Sequence, residues 1–199
     1  MALVKICGLR TEKDAAFVNE AWPDFAGFIC SQGFRRSIDL RTAARLRRLI
    51  SGDIVTVGVF VDDSQEKILK FLESGAIGAV QLHGSESDEY IDELKSKTEA
   101  VIVKAFVIRS ADDINRAAAS HADIVLLDSG KGSGREFDEK LIGNFPREYF
   151  LAGGMNAETV REKIKRLNPF AVDVSSGVET DGAKDRNKMI KFVQQVRER

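Results

Sequence analysis

Leu151-Ala152-Gly153-Gly154-Met155-Asn156 and, about twenty residues on, Val172-Asp173-Val174-Ser175-Ser176-Gly177-Val178 are the stretches on which the reading of this chain turns. In each, an apolar strand pattern stops at small residues and a polar, helix-starting pattern begins. A glycine-rich strand-to-helix turn offers clustered backbone N–H groups to an anion. Two such turns on consecutive strands form one phosphate site, with Gly153, Gly154, Ser175, Ser176 and Gly177 as its candidates.

Outward from these turns the same unit repeats. Strand-like runs stand at 3–6, 25–29, 54–61, 79–83, 101–107, 124–127, 149–151 and 170–174. Each is followed by a helix candidate, from Thr11-Glu12-Lys13-Asp14, with a capping-box pattern, to 186–197. The weakest helix signal lies near Asp138 to Ile142. Eight alternating units at spacings of about 20 to 30 residues predict a parallel sheet closed into a compact (β/α)8 TIM barrel, a single domain over 1–199. A doubly wound open sheet is the alternative, but eight strands would make it unusually wide.

Composition narrows the function. With 30 Lys+Arg against 31 Asp+Glu the net charge is -1, which gives no global field to attract nucleic acid or a membrane surface. No apolar run reaches membrane-spanning length and the start lacks a secretion signal, so a cytoplasmic protein with a small-molecule partner is expected. The 2 cysteines, Cys7 and Cys30, are too few for a disulfide framework or a cysteine-rich zinc site. On adjacent strands, about 4.8 Å apart, they would come within disulfide reach if the register allowed. A barrel carries its chemistry on the loops after the strands. There the sequence places Cys7-Gly8, the 30–36 loop, Asp62-Asp63, His83-Gly84, Ile108-Arg109, the 128–135 loop and the two glycine turns.

Taken in order, Val4-Lys5-Ile6-Cys7-Gly8, Gly58-Val59-Phe60-Val61, Val80-Gln81-Leu82-His83-Gly84, Leu126-Leu127-Asp128, Gly132-Ser133-Gly134 and the two opening stretches, the second extended by Glu179, resemble the phosphoribosylanthranilate isomerases of tryptophan biosynthesis. The match spans nearly the whole chain and reaches most strand ends. It implies an Amadori rearrangement of N-(5-phosphoribosyl)anthranilate to 1-(2-carboxyphenylamino)-1-deoxyribulose 5-phosphate, with no metal or organic cofactor. It also implies residue roles: Cys7 as general base, Asp128 as general acid, Arg36 on the substrate carboxylate, Asp173 near the sugar hydroxyls, and His83 at the rim in a hydrogen-bonding role. Gly132, Ser133 and Gly134 join the phosphate set. Arg35 beside Arg36 blurs the arginine assignment by one position.

A thiol titrates near 8.5 and a carboxylate near 4, so both roles ask for a shift towards neutrality. Lys5 beside Cys7 would supply one. The chain departs from the family in having only Ser129, Gly130 and Lys131 between Asp128 and Gly132, which sets Lys131 or Arg135 near the phosphate, and in a strand-two loop without proline. Cys30 reads as a buried small residue and His121, before the sixth strand, as structural. A pentulose-phosphate epimerase would need several inward His and Asp metal ligands. An indole-forming barrel would need a catalytic Lys and Glu, and a dual-substrate isomerase an Asp at position 7. A barrel that binds a phosphometabolite without turnover is the rival from another class. The barrel needs no second copy to close it, so a monomer is expected.

Overall fold

A computed structural model describes residues 1–130, 141–143 and 145–198. Eight strands, β1 (Leu3–Cys7), β2 (Phe25–Ile29), β3 (Val55–Phe60), β4 (Ala79–Leu82), β5 (Val101–Val107), β6 (Ile124–Asp128), β7 (Tyr149–Ala152) and β8 (Ala171–Val174), pair in sequence order. All the pairs are parallel, and β1 pairs with both β2 and β8, which closes the barrel and excludes the open sheet. Around it run α1 (Glu12–Ala21), α2 (Leu40–Leu49), α3 (Gln65–Glu73), α4 (Asp88–Lys95), α5 (Ala111–Ala119), α6 (Val160–Leu167) and α7 (Arg186–Arg197). The helix expected near Asp138 to Ile142 falls mostly on residues outside the described ones.

Local chemistry sets the helix starts. Thr11 Oγ1 accepts from Asp14 N at 3.1 Å while the Asp14 carboxylate accepts from Thr11 N at 3.0 Å, the reciprocal box its sequence announced. Ser110 forms a second such box at α5, and the side chains of Ser64, Ser87 and Asp185 each accept from a first-turn N–H of α3, α4 and α7. Helix α6 begins later than its sequence pattern because Asn156 Oδ1 accepts from Glu158 N and Thr159 N, tying the chain into an Asx turn first. One hairpin was not anticipated. β9 (Glu179–Thr180) and β10 (Ala183–Lys184) pair antiparallel across Asp181 and Gly182, whose φ of 50° and 75° form the left-handed pair that a two-residue hairpin needs.

Side-chain alternation divides the core in two. Val4, Ile6, Ala26, Phe28, Val80, Leu82, Val125 and Leu127 face outward and pack under the helices. Inside the barrel, Val103, Ala105, Leu126, Phe150, Ala152 and Ala171 form a second cluster. Phe150 stacks there between Phe25 at 5.3 Å and Phe170 at 6.0 Å, filling the N-terminal end of the barrel. The interior turns polar only towards the C-terminal end, where Lys5, Gln81 and Asp173 are buried. That gradient places the chemistry at one rim.

Candidate active site

At that rim lies a cleft of about 710 Å³, lined by Cys7, Arg36, Gln81, His83, Asp128 and Asp173 together with both glycine turns. Residues from six strand ends therefore meet in one space. Cys7 closes β1 and is 8% exposed, with room made for it by Gly27 opposite: a Cβ there would stand 2.7 Å from the sulfur. Burial pushes the Cys7 thiol up from its ordinary range, against the pull of Lys5, with Asp173 adding to the rise and Lys184 opposing it. The lowering expected beside Lys5 is thus outweighed, because the thiolate must form in a water-poor pocket. Lys5 Nζ is tied to Asp173 Oδ2 at 2.7 Å, leaving Asp173 Oδ1 buried without a partner among the described residues.

Asp128 ends β6. Its Oδ1 accepts from Gly130 N at 2.8 Å, and its Oδ2 stands 3.8 Å from His83 Nε2. The other ring nitrogen, Nδ1, lies 2.9 Å from Gln81 Nε2. The amide donates in that arrangement, so Nδ1 is the acceptor and the imidazole proton sits on Nε2, facing Asp128. Burial draws the His83 pKa down, against the opposite pull of Asp128, and keeps the ring neutral. Gln81 Oε1 is left buried and unpartnered. Two acceptors, on Gln81 and Asp173, are thus left without a partner in side chains that line the cleft.

Position distinguishes the two arginines. Arg36 lines the cleft with its side chain 19% exposed, whereas Arg35 is 58% exposed and lies outside it. Arg36 is gripped by Glu179, with Nε to Oε1 and Nη2 to Oε2 both at 2.7 Å. Arg35 reaches the same carboxylate at 3.0 Å and Lys184 at 2.9 Å. Burial opposes ionisation of Glu179, but hydrogen bonds from Arg36 and Lys184 prevail and bring its pKa to about 2. Three cations on one carboxylate leave an excess of positive charge at this end of the cleft. Lys184 Nζ also donates to Ser175 O at 2.9 Å, joining the arginine loop to the strand-eight turn.

The two glycine turns touch. A Cβ on Gly177 would fall 1.8 Å from Met155 O, and one on Gly153, at φ 90°, would fall 2.7 Å from Asp128 Oδ1 and from Ser129 N. Ser175 Oγ donates to Cys7 O at 3.1 Å, which binds the phosphate-type turn to the end of β1. Gly132, Ser133 and Gly134, with Lys131 and Arg135, lie outside the described residues. Among the described residues no group of three or more His, Cys, Asp or Glu side chains is placed to hold a metal ion, and no helix is long and apolar enough to cross a membrane.

Two other sequence readings find their outcome here. Cys30 is fully buried in the outward-facing layer, donating to Phe28 O at 3.5 Å, with burial pushing its thiol up to about 12. Cys7 points to the opposite face of the sheet, so a Cys7–Cys30 bridge is not available: the pleat separates the thiols although their strands are neighbours. His121 is a surface residue whose Nδ1 pairs with Asp92 at 2.9 Å. Gln81, Glu179, Lys184 and Gly27 were given no role in the sequence reading, although Gln81 and Glu179 stood within the motifs that carry the resemblance. Gln81 left a signal, a polar side chain in alternation with apolar ones two residues before His83. Lys184 and Gly27 left none, and the pairing of Glu179 with Arg36 was not legible because it spans 143 residues of chain.

The geometry has counterparts. Residues 4–195 match the family model described as N-(5'phosphoribosyl)anthranilate (PRA) isomerase. The N-(5'-phosphoribosyl)anthranilate isomerase of Endomicrobium trichonymphae is 46% identical over 202 residues, covering 99% of each chain. The crystal structure of phosphoribosyl anthranilate isomerase from Thermotoga maritima superposes with a TM-score of 0.89 at 36% identity over 98% of both chains. A crystal structure of that enzyme type in complex with reduced 1-(o-carboxyphenylamino)-1-deoxyribulose 5-phosphate gives 0.88 at 35%, again over 98% of both.

Proposed function

This chain belongs to the phosphoribosylanthranilate isomerase family, and from that membership we infer how its own residues convert N-(5-phosphoribosyl)anthranilate to 1-(2-carboxyphenylamino)-1-deoxyribulose 5-phosphate in tryptophan biosynthesis. The observation that carries the assignment is the meeting of Cys7, Asp128, Arg36 and both glycine turns in one cleft.

The reaction needs a proton delivered to the furanose ring oxygen and another removed from C2′. In our reading Asp128 delivers the first, the ring C–O bond breaks, and the anilino nitrogen's lone pair forms the iminium. Cys7, as thiolate, takes the C2′ proton, and the C–H electrons flow into the iminium to give an enol-amine that tautomerises to the ketone. Neutral His83, its proton on Nε2, is set to donate to the Asp128 carboxylate once that proton has left. Arg36 takes the anthranilate carboxylate with the donors Glu179 leaves open. Asp173 Oδ1 and Gln81 Oε1 accept from sugar hydroxyls, which supplies their missing partners. Gly153, Gly154, Ser175, Ser176 and Gly177 hold the phosphate, with Gly132, Ser133 and Gly134 assigned to it on the sequence pattern alone.

The test is the loss of substrate fluorescence on turnover. The parent protein should turn over, and Cys7→Ala or Asp128→Asn should lower kcat by about 10²-fold or more, while Arg36→Met should act mainly on KM. A parent without turnover, or variants at the parental rate, would overturn these roles. We further assign the whole chain to one domain acting as a cytoplasmic monomer, supported by the closure of eight strands within one chain. Sedimentation showing a stable dimer would correct that.

A further inference from the structure

Lys5 takes no part in the steps above, yet it occupies an expensive place. It is fully buried on β1, two residues before Cys7 and on the same face of the strand. Its Nζ bonds to Asp173 Oδ2 at 2.7 Å across the β1–β8 seam, and Asp173 and Cys7 both line the cleft. Desolvating an ammonium and a carboxylate costs several kcal/mol each, and an apolar pair of similar volume would stabilise the barrel as well or better. Stability therefore does not account for the pair. Its position beside the sulfur does.

Resting on the role given to Cys7 above, we propose that Lys5 is a positioning residue for the proton-abstracting thiol: its ammonium holds the sulfur in the cleft and balances the charge that sulfur carries as a base. An ammonium has three N–H donors and Asp173 Oδ2 takes one, so donors remain for the sulfur. Burial alone would lower the Lys5 pKa, but Asp173 and Cys7 more than offset this and keep the group cationic.

The charges acting on Cys7 come from several elements. Lys5 on β1 and Lys184 on β10 favour the thiolate, while Asp173 on β8 disfavours it. Lys184 is itself tied to Glu179 of β9. Cys30, after β2, interacts with Cys7 only weakly. Arg36, His83 and Asp128 line the same cleft.

The experiment uses the full chain with Cys30→Ala, which leaves Cys7 as the single thiol of the 2 present. Its titration is read without substrate, from iodoacetamide alkylation rates and thiolate ultraviolet absorbance against pH. Lys5→Met should move the titration upward by about one pH unit, about tenfold less thiolate at a given pH. The acidic limb of kcat should follow with KM little changed, and Lys5→Arg should restore the parental profile. Asp173→Asn should move the titration the other way. A merely structural Lys5 would lower stability without moving the thiol. Titrations of Lys5→Met and Asp173→Asn that superpose on the parent would overturn the proposal, and if Lys5→Met fails to fold, an unmoved Asp173→Asn titration overturns it alone. Absence of isomerase turnover with the titration still displaced would instead strike down the role of Cys7 in this reaction.

Discussion

Glu179→Gln is the perturbation that most directly tests how the carboxylate-binding end of the cleft is built. The side chain keeps its shape but loses the charge on which Arg36 (2.7 Å, twice), Arg35 (3.0 Å) and Lys184 (2.9 Å) converge. A carboxyl that titrates at about 2 in the fold instead of its ordinary 4.5 contributes on the order of 3 kcal/mol at pH 7. The folded pKa is the depressed one, so this contribution is present in full above about 4.5 and fades as pH falls towards 2. Urea unfolding should therefore show the variant less stable by on the order of 3 kcal/mol at pH 7, with the deficit roughly halved at about pH 3. Arg36 also loses its bidentate anchor, so KM should rise about tenfold, equivalent to about 1.4 kcal/mol, with kcat changed far less. An unchanged or lower KM, or a stability deficit independent of pH, would refute the claim that Glu179 holds Arg36 in place for the substrate.

Two more outcomes follow from the packing. In Gly177→Ala the new Cβ starts 1.8 Å from the Met155 carbonyl oxygen, so the two phosphate turns must part by more than about 1.5 Å to reach ordinary contact. The melting temperature should fall by several degrees and KM should rise through the phosphate, and an unaltered melt would show that the turns do not touch. In Cys30→Ala, removal of a thiol buried in the helix-facing layer should cost about 1 kcal/mol while leaving kcat within about twofold. Diamide treatment of the parent should yield no intramolecular Cys7–Cys30 bridge by mass spectrometry, and the appearance of one would contradict their placement on opposite faces.

Much of this molecule is legible in one dimension because its repeating unit is local. A strand two to four turns of chain away from its helix, a serine or threonine cap and a glycine turn are each specified by neighbours in sequence, and eight repetitions leave little choice but closure. Where local signals competed, reading failed at Asn156, which formed its own turn ahead of α6, and the Asp181-Gly182 hairpin went unread. The rim residues Cys7, Asp128, Arg36, His83 and Asp173 were named through the family resemblance, and the structure brings them into one cleft because strand ends and the loops after them converge in a barrel.

Sequence alone thus determined the barrel, the rim on which its strand ends converge and the two glycine-bearing turns there, since all three depend on short-range pattern and strand count. Tertiary structure decided the rest. It set Arg36 and not Arg35 in the cleft, separated Cys7 from Cys30 across the sheet, and joined Glu179 to two arginines 144 and 143 residues away. It also reversed the expected shift of the Cys7 thiol, because burial depends on what packs around a residue and not on which residues flank it.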